Sequence, residues 1–549
     1  MRVLFFLWAV QGFAAFNLTW GAPALSLDSN PPEGDTDSNA TIAIDPMGNA
    51  MATWSRTANQ GATEHIWSAV YNHSLRVWTG AIKVSGVGSA MNSQVAVDAS
   101  GNMTVVWQEG FPTQILFRTL SSGGVWTPDL SKPPGIIQKS IHPQSFPQIS
   151  VDAKGNAVAV WIEFYKGANH LYSAKKPLGI PWVSLGEITA SEQSVSLVPS
   201  KALVLNETGS GIAVWEEESK EGSEIHAARF VQGAWAPPVT LAAIKGKKAH
   251  TPSVGIDKTG DAVLVWTQDN AIFAKTLVDG ILSVEPQIVS DPGYLAQHPH
   301  VAVDAEGNAV VVFERHNALH KFIAAASLSK ESSSWTAPID ISGPSPLDSA
   351  SAGYPVFCMN SIGDGVAIWK EWTGSNMVIQ GAGYSLGTWS FIKTLSAPDA
   401  QSGAAVPAYD IAVALNKAGN ILAIWPEDPS GTKSLQIKAT AGVGLANVGP
   451  LPPIADPETI FSGIVSGKQT LRRFPAHADL INTLSWTSPG GVAHYNIYRG
   501  NLSSLISTTT ALRFEDHRRV PQKRETYLIT SVDQNGQESG PMTIIVDPL

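Results

Sequence analysis

The sequence lacks the features of a disulfide framework, a nucleic-acid surface or a zinc site. Cys358 is the only cysteine among 549 residues, so no intramolecular disulfide can form. It stands in the apolar run PVFCMN, away from any Cys/His zinc spacing, which indicates a buried core thiol. Only 15% of the residues are charged, the net charge is −10 and no basic run occurs, so nucleic acid is not an expected partner. No motif indicates a cofactor.

Long apolar runs are also missing, apart from a short one at the N-terminus. Arg2 is followed by the apolar residues 3–16 and then by Ala22-Pro23-Ala24, which has the small-x-small form of a cleavage site. The run is too short to span a bilayer comfortably, and no later stretch is apolar enough, so we expect no transmembrane segment after cleavage. Residues 1–24 are predicted to be a signal peptide, and the mature protein to be secreted, periplasmic or displayed at the cell surface.

What the sequence does contain is one unit that occurs eight times. Each unit ends a short apolar strand on an Asp or Asn anchor, followed by a glycine three residues later and an aromatic residue six residues after the glycine. Neighbouring anchors are 47 to 56 residues apart. The anchors are Asp45, Asp98, Asp152, Asn206, Asp257, Asp304, Asn360 and Asn416. The aromatic residues are Trp54, Trp107, Trp161, Trp215, Trp266, Phe313, Trp369 and Trp425.

Each unit reads as four short strands joined by tight turns. An Asp at the turn can accept hydrogen bonds from later backbone N–H groups, and glycine adopts a positive φ at no steric cost. The first two strands are apolar at nearly every position, as in strands that are buried on both faces. Four strands in about 50 residues, repeated, are typical of a β-propeller blade. The predicted fold class is therefore all-β, with an eight-bladed β-propeller over residues 25–448 followed by a β-sandwich.

The first mature residues are predicted to close the ring of blades. The eighth unit has a poor fourth strand, and residues 25–28 read as a stray one, so we expect them to complete the last blade. The VDxxGNxxVxW unit resembles the D-x-x-G-N units of bacterial NHL-like and SBBP-type propeller repeats. It lacks both the sialidase Asp-box, S-x-D-x-G-x-x-W, and the carboxylate density of a calcium loop.

A different module follows the Pro-rich residues 449–458, which are predicted to be a linker. Residues 459–549 resemble a fibronectin type III domain through Trp486 in LSW, YNIYRG from Tyr495, Asp516 in FED, and Tyr527 in ETYLITSVD. The resemblance implies a seven-strand β-sandwich with Trp486 and Tyr527 in its core. The preceding SGIVSGKQTLRRF also resembles the lead-in to such domains in chlamydia-type exported proteins.

The candidate ligand-binding residues follow the repeated aromatic residue by two positions, and we call these the W-x-E positions. The second strand runs away from the turn, so they approach the face opposite the turns, where loops also bring His298 and His300. Convergent polar groups on one face are the default form of a binding site. The candidates are Arg56, Glu109, Glu163, Glu217, Gln268, Arg315, Glu371, Glu427, His298 and His300. A strand edge that is merely solvated, or paired with the next blade, explains the same residues.

The sequence favours an exported, non-catalytic binding or scaffold protein, not an enzyme, that recognises a protein or a glycan on this face. No residue breaks the repeat in a way that marks a nucleophile, and the histidines have no fixed metal-ligand geometry. Two alternatives stay open. One is a glycoside-acting hydrolase using carboxylates of the same face, which in a retaining enzyme lie about 5 Å apart. The other is a purely structural surface protein.

Overall fold

The structure is a computed structural model, and its described residues form strands, turns and loops. These residues are 19–20, 25–27, 35–58, 63–189, 193–197, 202–219, 222–242, 248–332, 334–343, 345–346, 353–373, 377–390, 392–396, 401–402, 410–428, 435–443, 454–455, 467–473, 478–487, 492–500, 504–517, 519–520, 522–533 and 542–548. None of these residues is helical, so the described part of the chain has no helix that could cross a membrane. The prediction of an all-β fold is confirmed. The chain divides into two compact units, Met1–Gly444 and Leu445–Leu549.

The described residues of the first unit form eight antiparallel sheets, which we number in chain order. Sheet 1 contains Thr36–Ile44, Ala50–Thr57, Glu64–Asn72, Val77–Trp78 and Ile82–Lys83. Sheet 2 contains Ala90–Val97, Met103–Glu109, Gln114–Leu120, Trp126–Thr127 and Gly135–Ile136. Sheet 3 contains Gln144–Val151, Ala157–Tyr165, Ala168–Lys176 and Val183–Glu187. Sheet 4 contains Ser194–Ser196, Leu203–Leu205, Gly211–Ser219, Gly222–Val231, Ala234–Trp235 and Val239–Ala242.

The remaining four sheets repeat this arrangement. Sheet 5 contains Ala249–Ile256, Ala262–Gln268, Ala271–Val278, Ile281–Leu282 and Gln287–Ile288. Sheet 6 contains Leu295–Val303, Ala309–His316, His320–Leu328, Ile339–Asp340 and Ser345–Pro346. Sheet 7 contains Gly353–Met359, Gly365–Trp372, Met377–Ser385, Thr388–Trp389 and Lys393–Thr394. Sheet 8 contains Gln401–Ser402, Ala412–Leu415, Asn420–Asp428 and Gln436–Val443, joined by Thr19–Trp20 and Leu25–Ser26 from the N-terminus.

The N-terminal strands of sheet 8 lie on both sides of the predicted cleavage site. Leu25 pairs with Ala439, at the edge of the strand Gln436–Val443. Thr19 pairs with Val443 of the same strand, although it belongs to the predicted signal peptide. Most of residues 1–24 lie outside the described residues, as does Asp28.

The second unit is a single sheet of mixed order with its own core. Its strands are Ile454–Ala455, Gly467–Arg473, Ala478–Thr487, Val492–Arg499, Leu505–Thr509, Arg513–Asp516, Glu525–Asp533 and Met542–Asp547. Trp486 and Tyr527, which the sequence places in the core, are 2% and 0% exposed and pack in one cluster with Ile497. The Tyr527 hydroxyl donates a hydrogen bond to Asp516 Oδ2 at 2.6 Å.

Packing between neighbouring sheets holds the first unit together. All eight repeated aromatic residues are 0% exposed. Trp161 of sheet 3 lies in one cluster with Val106 and Ile115 of sheet 2. Second strands such as Met103–Glu109 are buried at every residue. Their side chains point alternately to the two faces of the sheet, and each face packs against a neighbouring sheet. The repeated aromatic residues are therefore core, and they are not available to a ligand.

The repeated turns also bond to one another. Asp98 Oδ1 accepts hydrogen bonds from the N–H groups of Ser100 and Asn102, each at 2.9 Å. Where the anchor is Asn, its amide reaches the next turn, and Asn416 Nδ2 donates to Asp45 O at 3.0 Å. The last turn is thereby bonded to the first, so sheets 8 and 1 are neighbours.

Replacing the turn glycine Gly155 by alanine is expected to destabilise the first unit more than the same change at Gly167. Both have a positive φ, +86° and +87°, so both variants carry the backbone strain. A Cβ at Gly155 would also lie 2.9 Å from Asp98 Oδ2 of the preceding turn, whereas at Gly167 it would meet nothing within 4 Å. We expect an extra loss of about 1–2 kcal/mol at Gly155 in urea denaturation. Equal losses would show that the turns do not pack as described.

Candidate functional site

The first strands of the sheets surround a central cavity of about 390 Å³, with lining residues from all eight sheets. Six of these strands carry a β-bulge at the same place. At each bulge the residue six positions before the anchor has a left-handed backbone, with φ between 51° and 55°. These bulge residues are Asn39, Asn92, Phe146, Thr251, His298 and Tyr354. In sheet 8 the matching residue is Asp410, and in sheet 4 it is Ser200, which lies outside the described residues.

The bulge residues hold equivalent positions in their sheets, and we call this set of positions the mouth of the cavity. Asn39, Asn92 and Phe146 line the cavity directly. His298 and Tyr354 hold the same strand position in sheets 6 and 7, and their rings are in contact, with centroids 4.7 Å apart. Asn92 and Phe146 of sheets 2 and 3 therefore line the cavity itself, whereas His298 and Tyr354 of sheets 6 and 7 are not among its lining residues.

The structure places the W-x-E side chains inside the protein, where they bond to their own sheets. All eight are at most 8% exposed. Glu109, Glu217, Glu371 and Glu427 each accept a hydrogen bond from the indole N–H two residues earlier, at 2.7 to 3.1 Å. Gln268 does the same with Trp266 at 3.2 Å. Strand geometry favours this contact, because two residues that are two positions apart lie on the same face of a strand.

The other W-x-E residues fix the loops that enter the sheets. Glu163 accepts from Ser140 Oγ at 2.8 Å and from Gln144 Nε2 at 3.0 Å. Arg56 binds Asp37 through two nitrogens, at 2.7 and 2.9 Å. Arg315 donates to Asp340 and Asp291, at 2.8 and 2.6 Å. These contacts explain why the positions are polar, and their role in ligand binding stays a prediction.

The two candidate histidines do not share one environment. His298 is a bulge residue at the mouth, and its side chain is 21% exposed. His300 is 4% exposed, and its Nδ1 accepts a hydrogen bond from the Phe357 N–H of sheet 7 at 2.8 Å. His300 lines the central cavity, whereas His298 has the more exposed side chain but is not among the lining residues.

Sequence reasoning missed the residue directly after the repeated aromatic, which faces the bulge of the next sheet. Gln108 Oε1 accepts the Phe146 N–H at 3.0 Å, and Glu314 Oε2 accepts the Tyr354 N–H at 3.4 Å. A charged residue inside an otherwise apolar buried strand was the available signal, because such residues are seldom fully buried without a partner.

Glu314 is the centre of a cluster in sheets 6 and 7. Its carboxylate is 1% exposed. Gln297 Nε2 donates to Oε1 at 3.0 Å, and His316 Nε2 and Lys321 Nζ lie 3.7 and 3.8 Å from the same oxygen. His298 Nδ1 lies 3.7 Å from Oε2. Burial alone would raise the pKa of Glu314, but His298, Lys321 and Gln297 outweigh it and hold that pKa below its usual value.

Two nearby imidazoles, those of His316 and His250, have lowered pKa values. Burial lowers the pKa of His316, and Lys321 and His298 lower it further against the opposing effect of Glu314. Burial, with His298 and Lys248 nearby, also lowers the pKa of His250 in sheet 5. Burial and Glu314 raise the pKa of Tyr354, so its hydroxyl stays protonated at neutral pH. Neutral imidazole accepts a proton and phenol donates one, so the cluster holds both halves of general acid–base chemistry.

A second buried pair adjoins this cluster in sheets 7 and 8. Asp410 is 0% exposed, and its Oδ1 accepts the Asn39 N–H of sheet 1 at 2.8 Å. Burial raises the pKa of Asp410 to about 6. Burial also lowers the pKa of Lys370, which is 1% exposed, to about 8. Within the described residues, no group of three or more His, Cys, Asp or Glu side chains is arranged to hold a metal ion.

No family profile matches this sequence, and no curated protein matches it. A fungal alcohol oxidase of the AA5 family in complex with copper is similar in structure, with 12% identity, TM-score 0.44, and 97% of this chain and 100% of that chain covered. The Penicillium chrysogenum α-L-arabinanase complexed with arabinobiose has 9% identity and TM-score 0.34, with 76% and 97% covered. The polysaccharide lyase Uly1 has 9% identity and TM-score 0.37, with 79% and 100% covered.

The solved structures to which this chain is similar do not agree with the expected function. The prediction of a non-catalytic binding or scaffold protein is contradicted, as is the prediction that the chain is not an enzyme, because the similar structures include glycan-cleaving enzymes. The resemblance to NHL-like and SBBP-type repeats has no support from a family match. Similarity this low carries no role over to this chain, so its function has to be argued from its own side chains.

Proposed function

We propose that this protein is a carbohydrate-cleaving enzyme whose site lies at the mouth of the central cavity, in sheets 6 and 7. The observation that supports this most directly is the contact between His298 and Tyr354, with the buried Glu314 carboxylate beside His298. A proton acceptor and a proton donor in contact match the requirements of general acid–base catalysis. The glycan would bind over the bulges of sheets 6 and 7, away from Asn92 in sheet 2, and we place no cofactor or metal in the reaction.

We also infer that the eight sheets are the blades of a closed propeller, residues 25–448. The hydrogen bonds from Asn416 to Asp45 and from Asn39 to Asp410 join sheets 8 and 1. The pairing of Leu25–Ser26 with sheet 8 supports its role in closing the ring. A linker at 449–458 and a fibronectin type III domain at 459–549 complete the proposed organisation. An N-terminal signal peptide would direct the protein out of the cytoplasm.

The proposal is tested by incubating the full mature chain with a panel of neutral and uronate-containing polysaccharides. New chain ends would be detected by chromatography and mass spectrometry. We expect at least one polymer to be shortened by the wild type and by Asn92→Ala, which alters the matching bulge position in sheet 2. His298→Ala should not shorten it. Shortening of no polymer, or full activity of His298→Ala, would contradict the proposal.

A further inference from the structure

We propose that one end of sheets 2 and 3 is a docking surface for a membrane with negatively charged lipids. Its centre is formed by four apolar side chains on neighbouring loops, Val87, Phe111, Ile141 and Phe164, which we call the apolar strip. The surface lies in other sheets than the proposed glycan site and does not depend on the proposed function.

The loops that carry the apolar strip lie side by side, at the end of the sheets opposite the repeated turns. In sheet 2 the first strand begins there and the second strand ends there, because Ala90 pairs with Glu109. Three backbone hydrogen bonds join the loops in a row. They run from the Gly110 N–H to Ser89 O at 3.2 Å, from the Gln144 N–H to Thr113 O at 2.9 Å, and from the Phe164 N–H to Pro143 O at 2.9 Å. The four apolar side chains therefore belong to one continuous row of loops.

The apolar strip projects into solvent. Val87, Phe111 and Ile141 are 98%, 102% and 85% exposed, and Phe164 is 49% exposed. Side chains as exposed as the first three stand at the tips of their loops and do not line a groove. A protein partner would need a complementary pocket for each of them, whereas lipid rearranges around apolar side chains that enter it. Neighbouring exposed apolar side chains mark an interaction site, and their shape here favours a membrane.

The charge of the four loops fits a membrane with negatively charged head groups. The chain as a whole has a net charge of −10. The loops, in contrast, contain no Asp or Glu and carry two exposed lysines, Lys139 and Lys166. They are residues 85–89, 110–113, 138–143 and 164–168. The equivalent loops of sheets 5 and 6 contain Asp269 and Asp291. Because lysines near a membrane surface are attracted to anionic lipids, the apolar strip is the part of this end that such a membrane would accept.

One edge of the apolar strip has the chemistry of a boundary between membrane and water. Tyr165 follows Phe164, and Lys166 Nζ lies 5.0 Å from the centre of the Tyr165 ring. Tyrosine suits such a boundary because its ring is apolar and its hydroxyl is polar, and lysine lays its apolar stem on apolar surface while its ammonium stays in water. A second copy of the chain fits less well, because a two-fold contact through this surface would bring the lysines of both copies together.

The test measures sedimentation of the full mature chain with phosphatidylcholine vesicles that contain or lack phosphatidylglycerol. The predicted signal peptide is left out, because its apolar residues would bind lipid by themselves. We expect the chain to bind the vesicles that contain phosphatidylglycerol, and added salt to weaken this binding by screening the lysines. Absence of binding to either kind of vesicle, or equal binding to both, would overturn the proposal.

A matched pair of double variants locates the contact. Val87→Ser combined with Ile141→Ser removes two exposed aliphatic side chains from the apolar strip, and we expect vesicle binding to weaken at least about tenfold. Val125→Ser combined with Leu178→Ser removes two exposed aliphatic side chains from the turn end of the same sheets and should leave binding unchanged. Equal weakening by the two double variants would contradict the proposed surface.

Reversal of one charge tests the contribution of the lysines separately. Lys139→Glu should weaken binding to vesicles with phosphatidylglycerol about fivefold or more, because it replaces an attraction by a repulsion. Lys154 is also exposed but belongs to the repeated turn of sheet 3, so Lys154→Glu should have no such effect. If the two variants bound equally well, the lysines beside the apolar strip would not contact the membrane.

Analytical ultracentrifugation without lipid tests whether a second copy covers the apolar strip. We expect the wild type to sediment as a monomer. A wild-type dimer that Val87→Ser combined with Ile141→Ser converts to monomers would show that the strip joins two copies of this chain, and it would overturn the assignment to a membrane.

Discussion

His298→Ala is expected to reduce glycan cleavage by about 10²–10⁴-fold, the range typical for loss of a general acid or base. His298 is partly exposed and belongs to the bulge of sheet 6, so we expect the folded structure to survive the loss of its ring contact with Tyr354. The loss should appear in kcat, because the imidazole acts on the reacting proton and does not simply hold the polymer. Initial rates over a range of substrate concentrations measure the split between kcat and KM.

Asn92→Ala is the matched control for this prediction. Asn92 occupies the same bulge position with nearly the same backbone, φ 55° against 54° for His298, but it lies in sheet 2 beside Gln108. If both variants lost activity equally, the effect would come from distortion of the bulges. If only KM changed in His298→Ala, His298 would be a binding residue.

Arg118→Met is expected to lower the free energy of unfolding by about 3–5 kcal/mol. The guanidinium is 2% exposed. It donates four hydrogen bonds of 2.7 to 2.8 Å to the backbone carbonyls of Val84, Pro128, Asp129 and Lys132. Val84 follows the last strand of sheet 1, and the other three belong to a loop of sheet 2, so the side chain joins two sheets. Methionine fills similar space but leaves these carbonyls without that donor.

Urea denaturation of the full chain, followed by tryptophan fluorescence, measures this loss. Arg76→Met removes an exposed guanidinium from the same unit and should change stability by no more than about 0.5 kcal/mol. A similarly small effect of Arg118→Met would mean that water or other groups replace its hydrogen bonds. The account of how sheets 1 and 2 are held together would then be wrong.

The repeat allowed much of the local structure to be predicted, because its signals are short-range. The Asp98 turn, its glycine and the buried Trp107 each follow from a few neighbouring residues, and the structure has all three. The W-x-E positions were predicted to approach the face opposite the turns as candidates for ligand binding. Their partners, however, are the indole N–H of the same strand and the loops of the same sheet, which leaves the side chains buried.

The acid–base cluster could not be predicted because it depends on β-bulges and on contacts between repeats. His298 was among the candidates named from the sequence, but Glu314 and Tyr354 were not, and a bulge interrupts the alternation that shows which side chains share a face. Tyr354 belongs to the next unit, 56 residues away from His298, and no local pattern connects the two. The sequence favoured a non-catalytic protein because no residue breaks the pattern of the repeat in the way that a nucleophile would. His298, Glu314 and Tyr354 occupy positions that recur in the repeat, and they differ from the residues at the matching positions only in the chemistry of their side chains.

The most direct measurement of the central claim is a crystal structure of the full His298→Ala chain with a bound oligosaccharide of the polymer that the wild type shortens. We predict a sugar residue over the bulges of sheets 6 and 7, with an oxygen in hydrogen-bond contact with the Tyr354 hydroxyl. Sugar bound only over Asn92 and Phe146, or only outside the first unit, would contradict the assignment of the site to sheets 6 and 7.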